Sequence, residues 1–150
     1  MAYLQGVALG PSNPTWTKLY EALARLASTC NGRFAFVIDE GNGLWCVGLP
    51  GQPPTTFTPA ADSAADVFYA AEIVPREGEM RRGTKLDGVK VTGDERYAAM
   101  SFASIYAVVV WFAGDFNPWL ARERIREALP EIEALVLALP PSGGPGANEA

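Results

Sequence analysis

The feature that most constrains this chain is a pair of apolar runs between Arg33 and Leu49, which flank a short acidic and glycine-rich segment. Alternate side chains of a strand point to opposite faces, and here both faces are apolar. Asn42-Gly43 favours the type I′ turn of a hairpin, because both central residues of that turn have positive φ. Strict alternation then places Trp45, Val47 and Leu49 on one face. Other elements must therefore cover both sides of this hairpin.

Helix signals lie on both sides of the hairpin. Asn13-Pro14 suits the N-cap and first position of a first helix, and Asn31-Gly32 suits its end. A second helix is predicted to start near Thr58-Pro59 or at Ser63, and Pro75 argues against its continuation.

The C-terminal third predicts a further helix. Asn117-Pro118 repeats the cap-and-proline pattern at its start, and Pro130 is expected to interrupt it. Residues 131–139 then form another helical segment. The sequence predicts one domain over residues 1–139 and a disordered tail over 140–150, where apolar residues are few.

Three more strands are predicted between the second and third helices. Leu86–Thr92 is short and weak, Arg96–Phe102 is longer, and Ile105–Ala113 is the most apolar and is expected at the sheet centre. The order helix, strand, strand, helix, strand, strand, strand, helix predicts an α+β fold. Its five-stranded antiparallel sheet is flanked by helices on both faces.

The composition excludes several kinds of chemistry. The chain has 150 residues, no histidine and two cysteines, which removes Ser-His-Asp and Cys-His catalysis and the common zinc modules. The net charge of −5 argues against nucleic acid. No apolar run approaches the roughly 18 residues of a membrane span, and no basic residue precedes the first apolar stretch as in a secretory signal. The sequence predicts a cytoplasmic protein without metal or cofactor.

Two glycine-rich segments resemble phosphate-binding loops only superficially. Gly41-Asn42-Gly43 leads into a strand, whereas a dinucleotide loop leads into a helix. The segment from Gly78 to Lys85 places its threonine before its lysine, which reverses the phosphate-loop order. Asp39 and Glu40 are adjacent, so they do not converge as an acid–base pair and are predicted to be solvated residues of the hairpin tip.

Charged residues of the last helix form a second candidate surface. Arg122, Arg124 and Arg126 alternate with Glu123 and Glu127, and opposite charges stand three residues apart in the pairs Glu123–Arg126 and Arg124–Glu127. The pattern is typical of a solvated, salt-bridged face. A partner-binding face is the alternative.

The run from Thr15 to Leu49, with its hairpin and Val47-Gly48, resembles the opening of roadblock/dynein light-chain proteins. The apolar strand ending in Gly114, the turn with Asn117 and the closing helix resemble the end of that family. The resemblance spans roughly residues 15–139 and is greatest to bacterial Mgl-type polarity regulators. It implies a non-catalytic adaptor for cell polarity or motility, and a homodimer or heterodimer whose sheets join edge to edge.

The same resemblance implies that paired second helices face a Ras-like small GTPase or another adaptor. It predicts interface residues on the second helix and on the strand after it, namely Ala64, Val67, Phe68, Ala71, Glu72, Leu86, Val89 and Val91. A small-molecule sensor of the PAS type is an alternative, with a cavity lined by Phe34, Phe36, Trp45 and Trp111. An enzyme is a third reading.

Overall fold

A computed structural model describes residues 3–4, 14–39, 43–51, 64–77, 88–91, 93–103 and 105–139. Three helices and six strands lie within these residues, and they follow the predicted order except for an additional first strand. In chain order they are β1 (Tyr3–Leu4), α1 (Pro14–Thr29), β2 (Phe34–Asp39), β3 (Gly43–Gly48), α2 (Ala64–Glu77), β4 (Gly88–Lys90), β5 (Arg96–Phe102), β6 (Tyr106–Phe112) and α3 (Pro118–Ala138).

The strands form one sheet in the order β1-β3-β2-β6-β5-β4. The five strands from β3 to β4 are antiparallel neighbours, which confirms the predicted α+β fold and its five-stranded antiparallel sheet. The sixth strand, β1, runs parallel to β3 and was not predicted, because two residues are too few to show a periodic pattern. The predicted central strand, β6, lies between β2 and β5 and is buried along its whole length.

Helices α1 and α3 cover one face of the sheet. Ala35 of β2 lies on this face. It pairs with Gly48 of β3 and with Val110 of β6 in the strand register, so these two residues lie on the same face. At Gly48 an added Cβ would lie 2.2 Å from the backbone nitrogen of Ala24 in α1. The glycine therefore lets α1 rest directly on the backbone of β3. Helix α3 packs beside α1 and over β5.

Helix α2 supplies the cover of the opposite face. That face carries stacked aromatic rings: Trp111 lies between Phe34 and Tyr97, with centroids 6.2 and 6.0 Å away. The buried side chains of α2 belong to the same core as these rings, namely Val67, Ala70, Ala71 and Val74. An ion pair between Arg33 and Asp66 joins the start of β2 to the first turn of α2. The hairpin is thus covered on both sides, as its sequence requires.

A β-bulge opposite Val37 and Ile38 changes the direction of Trp45. The Trp45 ring meets the edge of the Tyr106 ring, and its indole Nε1–H donates to Asp39 Oδ2 at 3.0 Å. Both partners lie on the α1 face, so the prediction that Trp45 shares a face with Val47 is wrong. The prediction that Asp39 is solvated is also wrong, since its side chain is buried. The bulge, which strict alternation cannot show, is the physical reason for both differences.

The helix ends agree with their sequence signals, but proline interrupts the helices less than predicted. Asn117 caps α3 by accepting from the Leu120 N–H, and Asn31 adopts a positive φ of 58° at the end of α1. Helix α2 begins one residue after Ser63 and continues through Pro75 to its last turn. Helix α3 continues through Pro130, which is exposed, so solvent can satisfy the carbonyl group that loses its N–H partner.

Candidate functional site

The β4 edge is the first candidate surface. Strand β4 is the last strand in the sheet order and pairs only with β5 among the described residues. Val89 is half-buried, and Val91, just beyond the strand, is 44% exposed. An edge strand presents main-chain donors and acceptors that a strand of another chain can satisfy. The predicted interface residue Leu86 lies outside the described residues.

The outer side of α2 is the second candidate surface. Val67 and Ala71, both predicted at the interface, are fully buried within the chain, so they support α2 from below. Phe68 and Glu72 are half-buried and lie nearer the outer side. The side-chain environment of Ala64 lies outside the described part of the chain.

Two further residues of α2 complete this outer side and were missed in the sequence. Tyr69 is 49% exposed, and Ile73 is half-buried. They follow each other at a spacing of four residues; Tyr69 points away from the buried side of α2, and Ile73 lies at its margin and packs against the core. The signal was present in the sequence, because Val67, Ala70 and Val74 form an apolar stripe at helical spacing that leaves Tyr69 outside it. We call Phe68, Tyr69, Glu72 and Ile73 the α2 surface.

The predicted ion pairs of α3 are confirmed. Arg124 donates to Glu127 at 2.8 Å, and Arg126 pairs with Glu123. Both pairs are exposed, so each contributes little to stability. Arg122 is exposed and forms no ion pair with the residues that the structure describes. The three arginines therefore differ, and only Arg122 retains an uncompensated charge.

A groove of about 460 Å³ runs between α1 and α3. Arg25 of α1 and Glu131 of α3 form an exposed ion pair across it at 3.2 Å. Arg124 and Glu127 line the same groove and pair with each other. Because two cations and two anions are already matched, the groove has no net charge with which to select a ligand.

The described ionisable groups do not form a reactive centre. Burial raises the pKa of the Cys46 thiol well above its usual range, and burial likewise raises the pKa of Cys30. Protonated thiols are poor nucleophiles and metal ligands. Burial, and secondarily the charge of Asp39, raises the pKa of Tyr106. No group of three or more metal-ligating side chains occurs in the part of the chain that the structure describes.

The aromatic residues proposed to line a sensor cavity lie on two different faces of the sheet. Phe34 and Phe36 are fully buried with ring centroids 6.0 Å apart, and Phe34 stacks on Trp111. Trp45 lies on the opposite face of the sheet, against Tyr106. These rings fill the core on two different sides and do not enclose a common space.

No described helix is long and apolar enough to cross a membrane.

No protein-family model matches the sequence, and no curated protein matches it. Solved structures do match the fold. MglB of Myxococcus xanthus is 19% identical with a TM-score of 0.55, over 82% of this chain and 98% of that one. A Roadblock/LC7 domain of Streptomyces avermitilis is 12% identical with a TM-score of 0.56, over 76% of this chain and 97% of that one. MglC of Myxococcus xanthus is 10% identical with a TM-score of 0.53, over 78% of this chain and 98% of that one. The chain has the roadblock fold, which confirms the resemblance seen in its sequence.

Proposed function

We propose that this chain is a non-catalytic adaptor of the roadblock type that pairs with a second roadblock chain, identical or related, and binds a Ras-like small GTPase. The observation that carries the proposal is the β4 edge, at which the sheet of the described residues ends beside the exposed Val91. The similarity to MglB and MglC supports a role in a polarity or motility circuit.

Pairing through β4 satisfies the main-chain groups of the outer edge and buries Val91. A strand of three residues is too short to hold two chains together alone, so helix contacts must add to it. The α2 surface offers apolar area for this purpose through Phe68 and Ile73. The β4 edge and these two apolar residues together form the proposed chain–chain interface, and the exposed Tyr69 between them is assigned to the GTPase.

Sedimentation velocity from 0.1 to 100 µM tests the pairing. The native protein is expected to dimerise, and Val91→Lys is expected to weaken the dimer at least tenfold, because it places a charge at the joined edge. Ala113→Lys is the matched control, since Ala113 is also exposed but follows the central strand β6. A strict monomer over the whole range contradicts self-pairing, and mixing with related roadblock proteins from the same cell then tests the heterodimer.

Binding of the GTPase is tested separately on the α2 surface. Tyr69→Ala is expected to weaken binding of a Ras-like GTPase loaded with a non-hydrolysable GTP analogue, as measured by calorimetry, because exposed tyrosines often contribute strongly to interfaces. Lys18→Ala on α1 is the control. Equal affinity of the Tyr69→Ala variant and the native protein would refute the assignment of the GTPase to this surface.

A further inference from the structure

Helix α3 has a further side that combines exposed apolar residues with charged ones. It carries the exposed Trp119, Arg122 and Leu137 and the half-buried Glu133, and we call these four residues the α3 flank. The steps between them are three, eleven and four residues, and at 3.6 residues per turn such steps return to one side of a helix. The flank therefore lies along one side of the helix, where the exposed Arg126 and Pro130 occupy the interval between Arg122 and Glu133.

The α3 flank faces away from α1 and towards the β4 edge. Arg124 and Glu131 lie on the side of α3 that meets α1, while Ile125 and Ile132 point into the core. The flank occupies the remaining side. Since α3 lies over β5 and β4 is the next strand outward, this remaining side overlooks the edge strand.

The flank exposes residues that surfaces usually bury or pair. Trp119 is 71% exposed and Leu137 is 58% exposed. Neither Arg122 nor Glu133 forms an ion pair with any residue that the structure describes. Tryptophan and arginine are the residues most enriched in the energetically dominant positions of protein interfaces. The stripe thus has two apolar ends and one free charge of each sign.

These residues are arranged symmetrically along α3. Trp119 lies nine residues before Ala128, the midpoint of the helix, and Leu137 lies nine residues after it. Arg122 lies six residues before Ala128, and Glu133 lies five residues after it. If a two-fold axis passes between two copies of α3 at the level of Ala128, Trp119 of each copy meets Leu137 of the other. Arg122 of each copy then meets Glu133 of the other. An isologous interface requires this self-complementarity.

We propose that the α3 flank packs against the α3 flank of a second copy of this chain, above the joined β4 edges. The inference rests on the proposed edge-to-edge pairing. It adds a second contact between the two chains, made by α3 on the face of the sheet opposite α2. With strands about 4.8 Å apart, the two copies of β5, and hence of α3, lie about 14 Å apart. Helices with side chains of average length are about 10–12 Å wide, which leaves about 2–4 Å, and the longer tryptophan and arginine side chains of the flank can extend across it.

Tryptophan fluorescence tests this contact directly. Trp16 and Trp45 are 1% exposed and Trp111 is 6% exposed, so acrylamide quenching of the native protein reports chiefly on Trp119. The quenching constant is expected to fall at least twofold as the protein concentration rises through the dimerisation range measured by sedimentation. Trp119→Phe should abolish this dependence. Unchanged quenching while sedimentation shows a dimer would overturn the proposal.

A charge exchange tests the pairing of Arg122 with Glu133. Arg122→Glu and Glu133→Arg are each expected to raise the dimer dissociation constant about tenfold, which equals about 1.4 kcal/mol, because each places like charges together in two symmetric contacts. The double variant should return to within about threefold of the native value, which also shows that the single variants do not act by misfolding. Lys18→Glu makes the same charge change on α1 and should have no effect.

The outcomes separate this inference from the proposed function. If the native protein dimerises, Val91→Lys weakens the dimer and the exchanged charges change nothing, the α3 contact is refuted while the edge pairing stands. If the native protein remains monomeric at all concentrations, self-pairing itself fails and the α3 contact fails with it. Rescue by the double variant is the result that supports both.

Discussion

Gly48→Ala is the substitution for which the structure gives the sharpest expectation. An added Cβ would lie 2.2 Å from the backbone nitrogen of Ala24, 2.5 Å from the carbonyl carbon of Leu23 and 2.6 Å from its Cβ. Ordinary contacts of a Cβ begin near 3.4 Å. Helix α1 must therefore move by about 1 Å, because two of the three atoms are backbone and cannot rotate away.

Such a displacement disturbs the contact of α1 with β3, on which large side chains such as Leu19 and Leu23 depend for burial. Overpacking of a core costs about 1–3 kcal/mol and more where backbone must move, so we expect a loss of at least about 3 kcal/mol in the free energy of unfolding. For a chain of this size the melting temperature should fall by about 6–12 °C.

Urea denaturation of the native protein and of two variants measures this loss. Gly114→Ala is the matched control, because a Cβ at Gly114 meets no atom within 4 Å and its φ is not positive. We expect the control to remain within about 0.5 kcal/mol of the native protein. A Gly48→Ala variant as stable as the control would refute the close approach of α1 to β3.

Three further changes test other parts of the fold. Asp39→Ala should cost about 1–3 kcal/mol in urea denaturation, because it leaves the buried indole N–H of Trp45 without this acceptor, whereas Asp39→Asn keeps an oxygen there and should cost less. Asn117→Ala should cost about 1 kcal/mol in the free energy of unfolding through loss of the α3 cap. Asn117→Asp keeps a capping oxygen and should cost much less, so equal losses in the two variants would contradict the capping role. Burial raises the pKa of Cys46, so the native thiol keeps a proton that the unfolded chain releases above about pH 8.5. Stability is therefore expected to fall between pH 8 and pH 10, and a urea midpoint that stays constant over this range would contradict it.

Most of the fold follows from local signals in the sequence. The hairpin, the cap at Asn117 and the apolar run of β6 each depend on residues that are close in the chain, and each is found where it was predicted. The errors arise where tertiary contacts decide. Pro130 is tolerated because buried residues on both sides of it hold α3 to the core, which no local rule includes. The bulge at Trp45 likewise depends on its partners Asp39 and Tyr106.

The candidate surfaces were less accessible to sequence reasoning. Val67 and Ala71 were predicted at a partner interface, and in the single chain both are already fully buried. A sequence shows that a helix has an apolar side without showing what covers that side. The α3 flank was missed for a related reason, since the arginines were considered together although Arg124 and Arg126 have partners within α3 and Arg122 does not.

The two faces of the sheet are covered in physically different ways, and this bears on where a partner binds. Helix α1 rests on the backbone of β3 at Gly48 and buries large side chains, including Trp16 and Leu23. Helix α2 rests on aromatic rings and buries only valine and alanine among its described side chains. Since stabilisation scales with the apolar area removed from water, the fully buried side chains described for α2 contribute less than those of α1, and Phe68 and Ile73 add a partly buried contact. The partner that we propose for the α2 surface would bury the remaining exposed area of Phe68, Tyr69 and Ile73, and its binding would stabilise α2 by mass action.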